Sequence, residues 1–202
     1  MLRSLTAVVL LIAAFAAGRP AGAQTYAEST GFYADVGLGL GWNNLDGGLQ
    51  PVDNGTMVGF VVGGGYRFNT WAAAEVEFTW VGGGEIVNPN AAPASQRIRA
   101  SLTTLGVSAK LYPLAFAPDR IPQWIQPNVS FGIGTGLAEQ ASTLPFTFGS
   151  VSQSVLLFEV GTGIDLMLTK HWGMLVEGRY YVTNNDVLTG VGVLGLGVLC
   201  RF

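Results

Sequence analysis

The chain has 202 residues, 49% of them hydrophobic and 11% charged, where an ordinary soluble domain carries about 25% charged. A formal net charge of −3 at pH 7 separates it from nucleic-acid binders, which are basic, and its apolar content separates it from disordered chains, which are polar. Cys200 is the only cysteine, so neither an internal disulfide nor a cysteine-based zinc site can form.

The N-terminal segment reads as an export signal. Arg3 gives a positive start, residues 5–17 form an apolar run, and Ala21-Gly22-Ala23 supplies the small-x-small pattern that a signal peptidase cuts. The run falls short of the roughly 20 residues that a membrane-spanning helix needs. The expectation is a cleaved leader over residues 1–23, a mature start at Gln24, and one domain over residues 24–202. No later stretch is long and apolar enough to span as a helix.

The hydrophobicity of the remaining chain is arranged in twos. Over residues 31–42, Phe32, Ala34, Val36, Leu38, Leu40 and Trp42 share one face, with Tyr33, Asp35 and glycines on the other. A period of two is the mark of a strand. The pattern returns over residues 56–68 (Val58, Phe60, Val62, Tyr66), 71–80 (Val76, Phe78, Trp80) and 99–111 (Leu105, Val107, Leu111). It continues over residues 124–136 (Val129, Phe131, Ile133), 154–168 (Phe158, Val160, Ile164) and 172–182 (Met174, Val176, Tyr180). The last run, 191–202, carries Leu194, Leu196, Val198, Cys200 and Phe202.

No charged residue falls on any of these apolar faces. Asp35, Arg67, Glu75, Glu77, Lys110, Glu159, Asp165, Glu177, Arg179 and Arg201 all lie on the opposite, glycine-rich ones. A soluble barrel would turn its apolar face inward and scatter charge outside. Here glycine leaves room for long polar side chains in a narrow lumen. The expected fold is all-β: a closed, eight-stranded, antiparallel up-and-down transmembrane β-barrel with its apolar face outward. Closure is what leaves no unpaired backbone edge in lipid.

Connection lengths and tryptophans agree with this. Gaps after odd strands are long (43–55, 81–98, 137–153, 183–190), and those at 69–70 and 169–171 are short, as in barrels with long external loops and short periplasmic turns. The turn at 112–123, with three prolines, departs from the rule without explanation. Trp71, Trp124 and Trp172 open strands while Trp42 and Trp80 close them. All five are expected in an aromatic girdle at the two lipid–water boundaries.

These segments carry a resemblance. GFYADVGLGLGW at the first strand, AEVEF at the third, IQPNVSFGIGTG at the fifth, HWGMLVEGRYY at the seventh and GVGVLGLGVLCRF at the end resemble the OmpA-like, opacity-protein-type outer-membrane barrels. The resemblance covers essentially the whole mature chain, through degenerate alternation patterns and not fixed signatures. It implies a barrel in a Gram-negative-type outer membrane, periplasmic termini, and contact with lipid and lipopolysaccharide. It also implies recognition of the last strand (Leu194, Leu196, Val198, Cys200, Phe202) by the barrel-assembly machinery. The sequence stops at the barrel, so peptidoglycan binding by a second domain is not carried over.

Motifs that suggest chemistry have plainer readings. Gly190-Val191-Gly192-Val193-Leu194-Gly195 matches G-x-G-x-x-G, but dinucleotide binding needs a helix after it, and the residues that follow alternate as a strand. His171, the only histidine, falls in a short periplasmic turn. A lipid-active barrel would need its histidine beside a serine near the outer leaflet. Arg97 and Arg99, where a loop meets the fourth strand, could face lipopolysaccharide phosphates or simply solvent. Among the lumen charges, Asp35, Arg67 and Arg201 are expected to cluster near the periplasmic end, with Glu77, Glu159, Glu177 and Arg179 grouped above them.

The functional expectation is a non-enzymatic outer-membrane protein with a structural or surface-contact role through its external loops. It has no cofactor, metal site or catalytic residue, and its possible loop ligand is not legible. A narrow ion or water channel is the alternative, and a lipid-modifying enzyme a more distant one.

Overall fold

A computed structural model of the protein describes residues 30–45, 50–51, 56–87, 97–116, 122–142, 150–184 and 188–202. The expected leader and Gln24 lie outside the described residues, as do the centres of the long loops. Eight long strands make the wall: Gly31–Leu45, Met57–Arg67, Ala72–Val87, Arg97–Leu111, Ile125–Ser142, Ser150–Met167, Trp172–Thr183 and Leu188–Arg201. They are called the first to eighth strands in that order. A two-residue strand, Gln50–Pro51, pairs with the far end of the third.

Every long strand is antiparallel to its chain neighbours, and the eighth closes on the first from Tyr33↔Arg201 to Leu45↔Leu188. Closure gives the main-chain groups of the spanning segments partners within the wall. The Phe202 N–H adds a bond to the Phe32 carbonyl at 3.0 Å.

The alternation read from the sequence becomes an inside and an outside. Phe32, Leu38, Val58, Leu105, Phe131, Ile133, Phe158 and Leu196 are exposed, Leu38 to 75%. An apolar belt of this extent is not tolerated on a soluble monomer but is what hydrocarbon requires. All ten charged residues assigned to the glycine-rich faces are buried, Lys110 to 1% exposure.

Three features differ from the sequence expectation. Strands run further than their apolar faces: the third reaches Val87, the fifth Ser142, and the sixth begins at Ser150. Apolar alternation ends where the outer face leaves hydrocarbon, while backbone pairing continues in water. In the third strand a register shift between Gly82 and Gly84 is turned by Gly83, at φ +97°, a value that side-chain-bearing residues rarely adopt.

Inward-facing apolar residues, secondly, close both ends of the barrel. Met57, Val81, Leu102, Val155, Leu157, Val191 and Val193 pack together at the long-loop end. Tyr33, Ala73, Tyr112, Met167, Leu175 and Leu199 do so at the short-turn end.

Thirdly, the 112–123 connection is part of that second plug. Tyr112 is buried, a 3₁₀ turn over Pro113–Phe116 follows it, and Ala115 and Trp124 pack on the same cluster. Trp124 is half-buried against this cluster, whereas Trp42, Trp71, Trp80 and Trp172 are exposed on the outer face.

The wall is thin only where glycine permits. A Cβ at Gly65 would collide with the Ala74 carbonyl oxygen and the Tyr33 ring, whereas one at Gly64 would meet nothing nearer than 3.7 Å. Gly65→Ala should therefore destabilise the refolded barrel by about 1–3 kcal/mol through overpacking. Gly64→Ala should be close to neutral, with both read as shifts in urea unfolding in lipid vesicles.

Candidate functional site

The interior between the two apolar plugs is the one place in the described residues where charged side chains converge. Its centre is Arg179 on the seventh strand. The guanidinium lies 2.7 Å from Glu177 Oε2 and 3.2 Å from Glu75 Oε1, contacts Glu77 Oε2, and stands 3.9 Å from Glu159 Oε1. Strand geometry produces this fan: Glu177 is two residues away on the same strand, Glu159 projects from the adjoining sixth strand, and Glu75 and Glu77 reach across the lumen from the third.

Lys110 completes the layer, with Nζ 3.1 Å from Glu75 Oε2 and 3.8 Å from Glu177 Oε2. Hydroxyls meet several of the carboxylate oxygens. Tyr33 donates to Glu75 at 2.8 Å, Thr79 and Tyr181 each donate to Glu77 at 2.7 Å, and Ser130 donates to Glu159 at 3.3 Å. Carboxylates removed from water need such partners, because a buried charge without compensation costs several kcal/mol.

A second layer lies toward the short-turn end. Arg67 and Arg201 both donate to Gln126 Oε1, at 2.6 and 2.7 Å. Arg67 also donates to the Asn69 and Thr70 carbonyls and lies 4.1 Å over the Tyr112 ring. Asp165 accepts from Tyr112 Oη and Asn128 Nδ2, both at 3.0 Å, and stands 3.8 Å from Arg201. Burial, with the Asp165 carboxylate beside it, pushes the Tyr112 phenol well above its ordinary range, so Tyr112 acts as a hydrogen-bond donor.

The expected cluster of Asp35, Arg67 and Arg201 is therefore corrected. Arg67 and Arg201 do meet, but around Gln126, and Asp35 is not with them. Asp35 stands opposite Gly63, four residues along the second strand from Arg67, roughly 13 Å at the rise of a strand. It lines a void with Glu177 and Arg179, and its Oδ2 is buried without a hydrogen-bond partner among the described residues. Glu77, Glu159, Glu177 and Arg179 lie together, with Glu75 and Lys110 joined to them.

Tyr33, Tyr181, Gln126 and Asn128 alternate onto the polar faces and are visible in the sequence as inward-facing. Nothing local marks them as partners of particular carboxylates. Tyr112 lies beyond the alternation altogether.

A cavity of about 470 Å³ is lined by Tyr33, Glu75 and Ser108 together with Gly64 and Gly65, while the voids deeper among the charged groups are small. The void beside Asp35, Glu177 and Arg179 and the one beside Glu77, Glu159 and Tyr181 measure about 10 Å³ each, room for no more than a single water. Among the described residues no group of His, Cys, Asp and Glu side chains is arranged to hold a metal ion.

The other candidates are placed as follows. His171 is exposed, its Nδ1 3.0 Å from the Arg201 carbonyl. Gly190 to Gly195 lie within the eighth strand. Leu194, Leu196, Val198 and Phe202 are exposed on the outer face, with Cys200 half-buried in the same row.

Comparison with known proteins gives a consistent result. Residues 7–202 match the family model described as outer membrane protein beta-barrel domain. No curated protein matches the chain significantly in sequence. Among solved structures, the fold is similar to Neisserial surface protein A at 19% identity and TM-score 0.57, over 87% of this chain and 100% of that one. It is similar to the attachment invasion locus protein Ail of Yersinia pestis at 18% identity and TM-score 0.58, over 86% and 100%. For the outer membrane protein OprG of Pseudomonas aeruginosa the values are 14% identity and TM-score 0.56, over 87% and 97%.

Lys110 is the test of how the central layer is compensated. Lys110→Met leaves Glu75 and Glu177 with Arg179 alone and should cost about 3–5 kcal/mol of unfolding free energy. Adding Glu75→Gln to that variant should restore part of the loss, a non-additivity measurable by equilibrium urea unfolding in lipid vesicles.

Proposed function

The chain belongs to the outer membrane protein beta-barrel domain family, and from that premise we propose a non-enzymatic structural or surface-contact role, carried by the parts of the barrel that stand outside the membrane. The observation that supports this reading is the dense ion-pair packing of the interior. Arg179 is held against Glu75, Glu77, Glu159 and Glu177 between two apolar plugs, an arrangement suited to fixing the shape of a small barrel. An eight-stranded barrel is just wide enough to be filled by side chains. What varies freely on such a scaffold is its external surface.

In this reading the short-turn end and both termini are periplasmic, following removal of residues 1–23. Trp42, Trp71, Trp80 and Trp172 seat the barrel at the lipid interfaces. The row Leu194, Leu196, Val198, Cys200 and Phe202 is presented to the barrel-assembly machinery. Arg99, exposed near the long-loop end of the fourth strand, is the base placed to meet lipopolysaccharide phosphates.

One observation favours a narrow channel as the second reading. The central layer holds Asp35, Glu75, Glu77, Glu159 and Glu177 against Lys110 and Arg179 alone, an acid excess that would favour cations. Planar-bilayer recording separates the two. The structural reading predicts no discrete conductance steps from the wild-type barrel. Sustained steps whose size changes with Glu77→Gln would replace it with the channel.

A further inference from the structure

The outer face of the barrel is not evenly filled. The ladder of paired residues that starts at Ala34 passes through Gly64, Val76 and Val107 and returns to the first strand at Asn44. The return point is ten residues further along that strand, toward the long loops. Strands tilted by roughly 40° produce such a climb, so each step from the first strand toward the fourth lies deeper in the membrane from the short-turn end. In the other direction the same ladder descends through Cys200 to Trp172, beside the short turn.

Along this slope the outward positions between Trp172 and Val76 are Cys200, Ala34 and Gly64, and they floor a groove. Outward neighbours two residues away on the same strands border it. Phe202, Phe32 and Tyr66 lie below, and Val198, Val36 and Val62 above, all exposed. The Phe32 and Tyr66 rings meet edge to face at 4.9 Å, which makes the lower border continuous there. At its upper end the groove runs into the cavity of about 470 Å³. Most of that cavity's lining faces outward: Phe32, Tyr66, Val76 and Val107 wall it, and Gly64 and Ala74 floor it. A Cβ at Gly64 would meet nothing nearer than 3.7 Å, so the wall does not reach into this space.

The lower end of the groove is basic. Lys170 and His171 are exposed in the turn that precedes Trp172. His171 Nδ1–H donates to the Arg201 carbonyl at 3.0 Å, which sets the ring beside the end of the eighth strand. Glu139, the exposed acid among the described residues, belongs to the long-loop end of the fifth strand. Trp172, itself exposed, marks the lipid–water boundary at this height. A groove that is apolar along its length and positive at its boundary end complements an acyl chain carrying a negative head.

We propose that this diagonal groove is a binding site for an anionic glycerophospholipid in the leaflet at the short-turn end. Lys170 and His171 take the phosphate, and one acyl chain lies over Ala34 and Gly64 with its tail in the cavity. One basic residue near a bilayer surface favours an anionic headgroup about fivefold. The groove adds dispersion contact on several sides of the chain, which a flat wall does not offer. A zwitterionic phospholipid has the same tails without the net charge. The proposal needs the barrel in a bilayer and nothing of its conductance, so discrete current steps would overturn the structural reading and leave this one standing.

The test uses the full barrel in nanodiscs of equal parts phosphatidylglycerol and phosphatidylcholine, with a nitroxide near the acyl end of one lipid or the other. Relaxation enhancement of the Ala34 and Gly64 amides is measured against amides of the fifth and sixth strands, which report bulk lipid. The excess should be about fivefold larger for labelled phosphatidylglycerol. Lys170→Gln should bring the two lipids toward parity and leave the urea midpoint unchanged, since this side chain stands in water. Gly64→Leu should fill the groove and abolish the excess at Ala34 for both lipids. Ala34→Leu, read at Gly64, serves the same purpose if that variant fails to refold. Equal enhancement from the two lipids, a preference unmoved in folded Lys170→Gln, or an undiminished excess in a groove-filled variant would each overturn the proposal.

Discussion

Hydrocarbon offers no hydrogen-bond partner, and the rest of the structure follows from that constraint. Every peptide group in the spanning region must bond to another, so the sheet must close, as it does from Tyr33↔Arg201 onward. Closure with a period of two leaves each strand one face for lipid and one for the interior. The outward residues need only be apolar. The inward ones must share a cylinder too narrow for much water, and there the sequence is constrained tightly.

The charged interior answers that confinement. Six acids and four bases are buried together, and a charge stripped of water stands only if nearby charges and hydroxyls replace its hydration. Arg179 does most of this in the central layer, and its planar fork suits contact with several carboxylates at once. The lower layer uses other means: Gln126 bridges two guanidiniums, Tyr112 stacks under one of them, and turn carbonyls absorb Arg67. The apolar plugs above and below withhold water, which strengthens each interior contact and raises the cost of breaking one. Rigidity of this kind suits a scaffold for external contact.

Much of this was legible from alternation alone, because the lipid face and the lumen face differ so sharply in chemistry. The ten charged positions separate from the apolar rows by parity, without knowledge of any contact. What parity does not carry is height and reach. Asp35 and Arg67 lie on facing strands of one hairpin, but their pairing positions are four residues apart, and Arg67 turns toward carbonyls of its own turn. Trp124 opens a strand like Trp71 and Trp172, yet it packs against the apolar cluster at the short-turn end. Strand ends were legible only as the ends of grease, and pairing in water continues past that mark. Tyr112 sits beyond any periodic signal, and its burial is known only once the connection around it is folded.

The sequence by itself determined which residues face lipid, which face the axis, and that the barrel is inside out, because those follow from a two-residue period and the cost of charge in hydrocarbon. Only the tertiary structure decided which carboxylate each cation meets and which apolar residues gather at each end. Those depend on register, strand stagger and the paths of the connections, which bring together residues about a hundred positions apart, such as Glu75 and Arg179, through distances that no local pattern encodes.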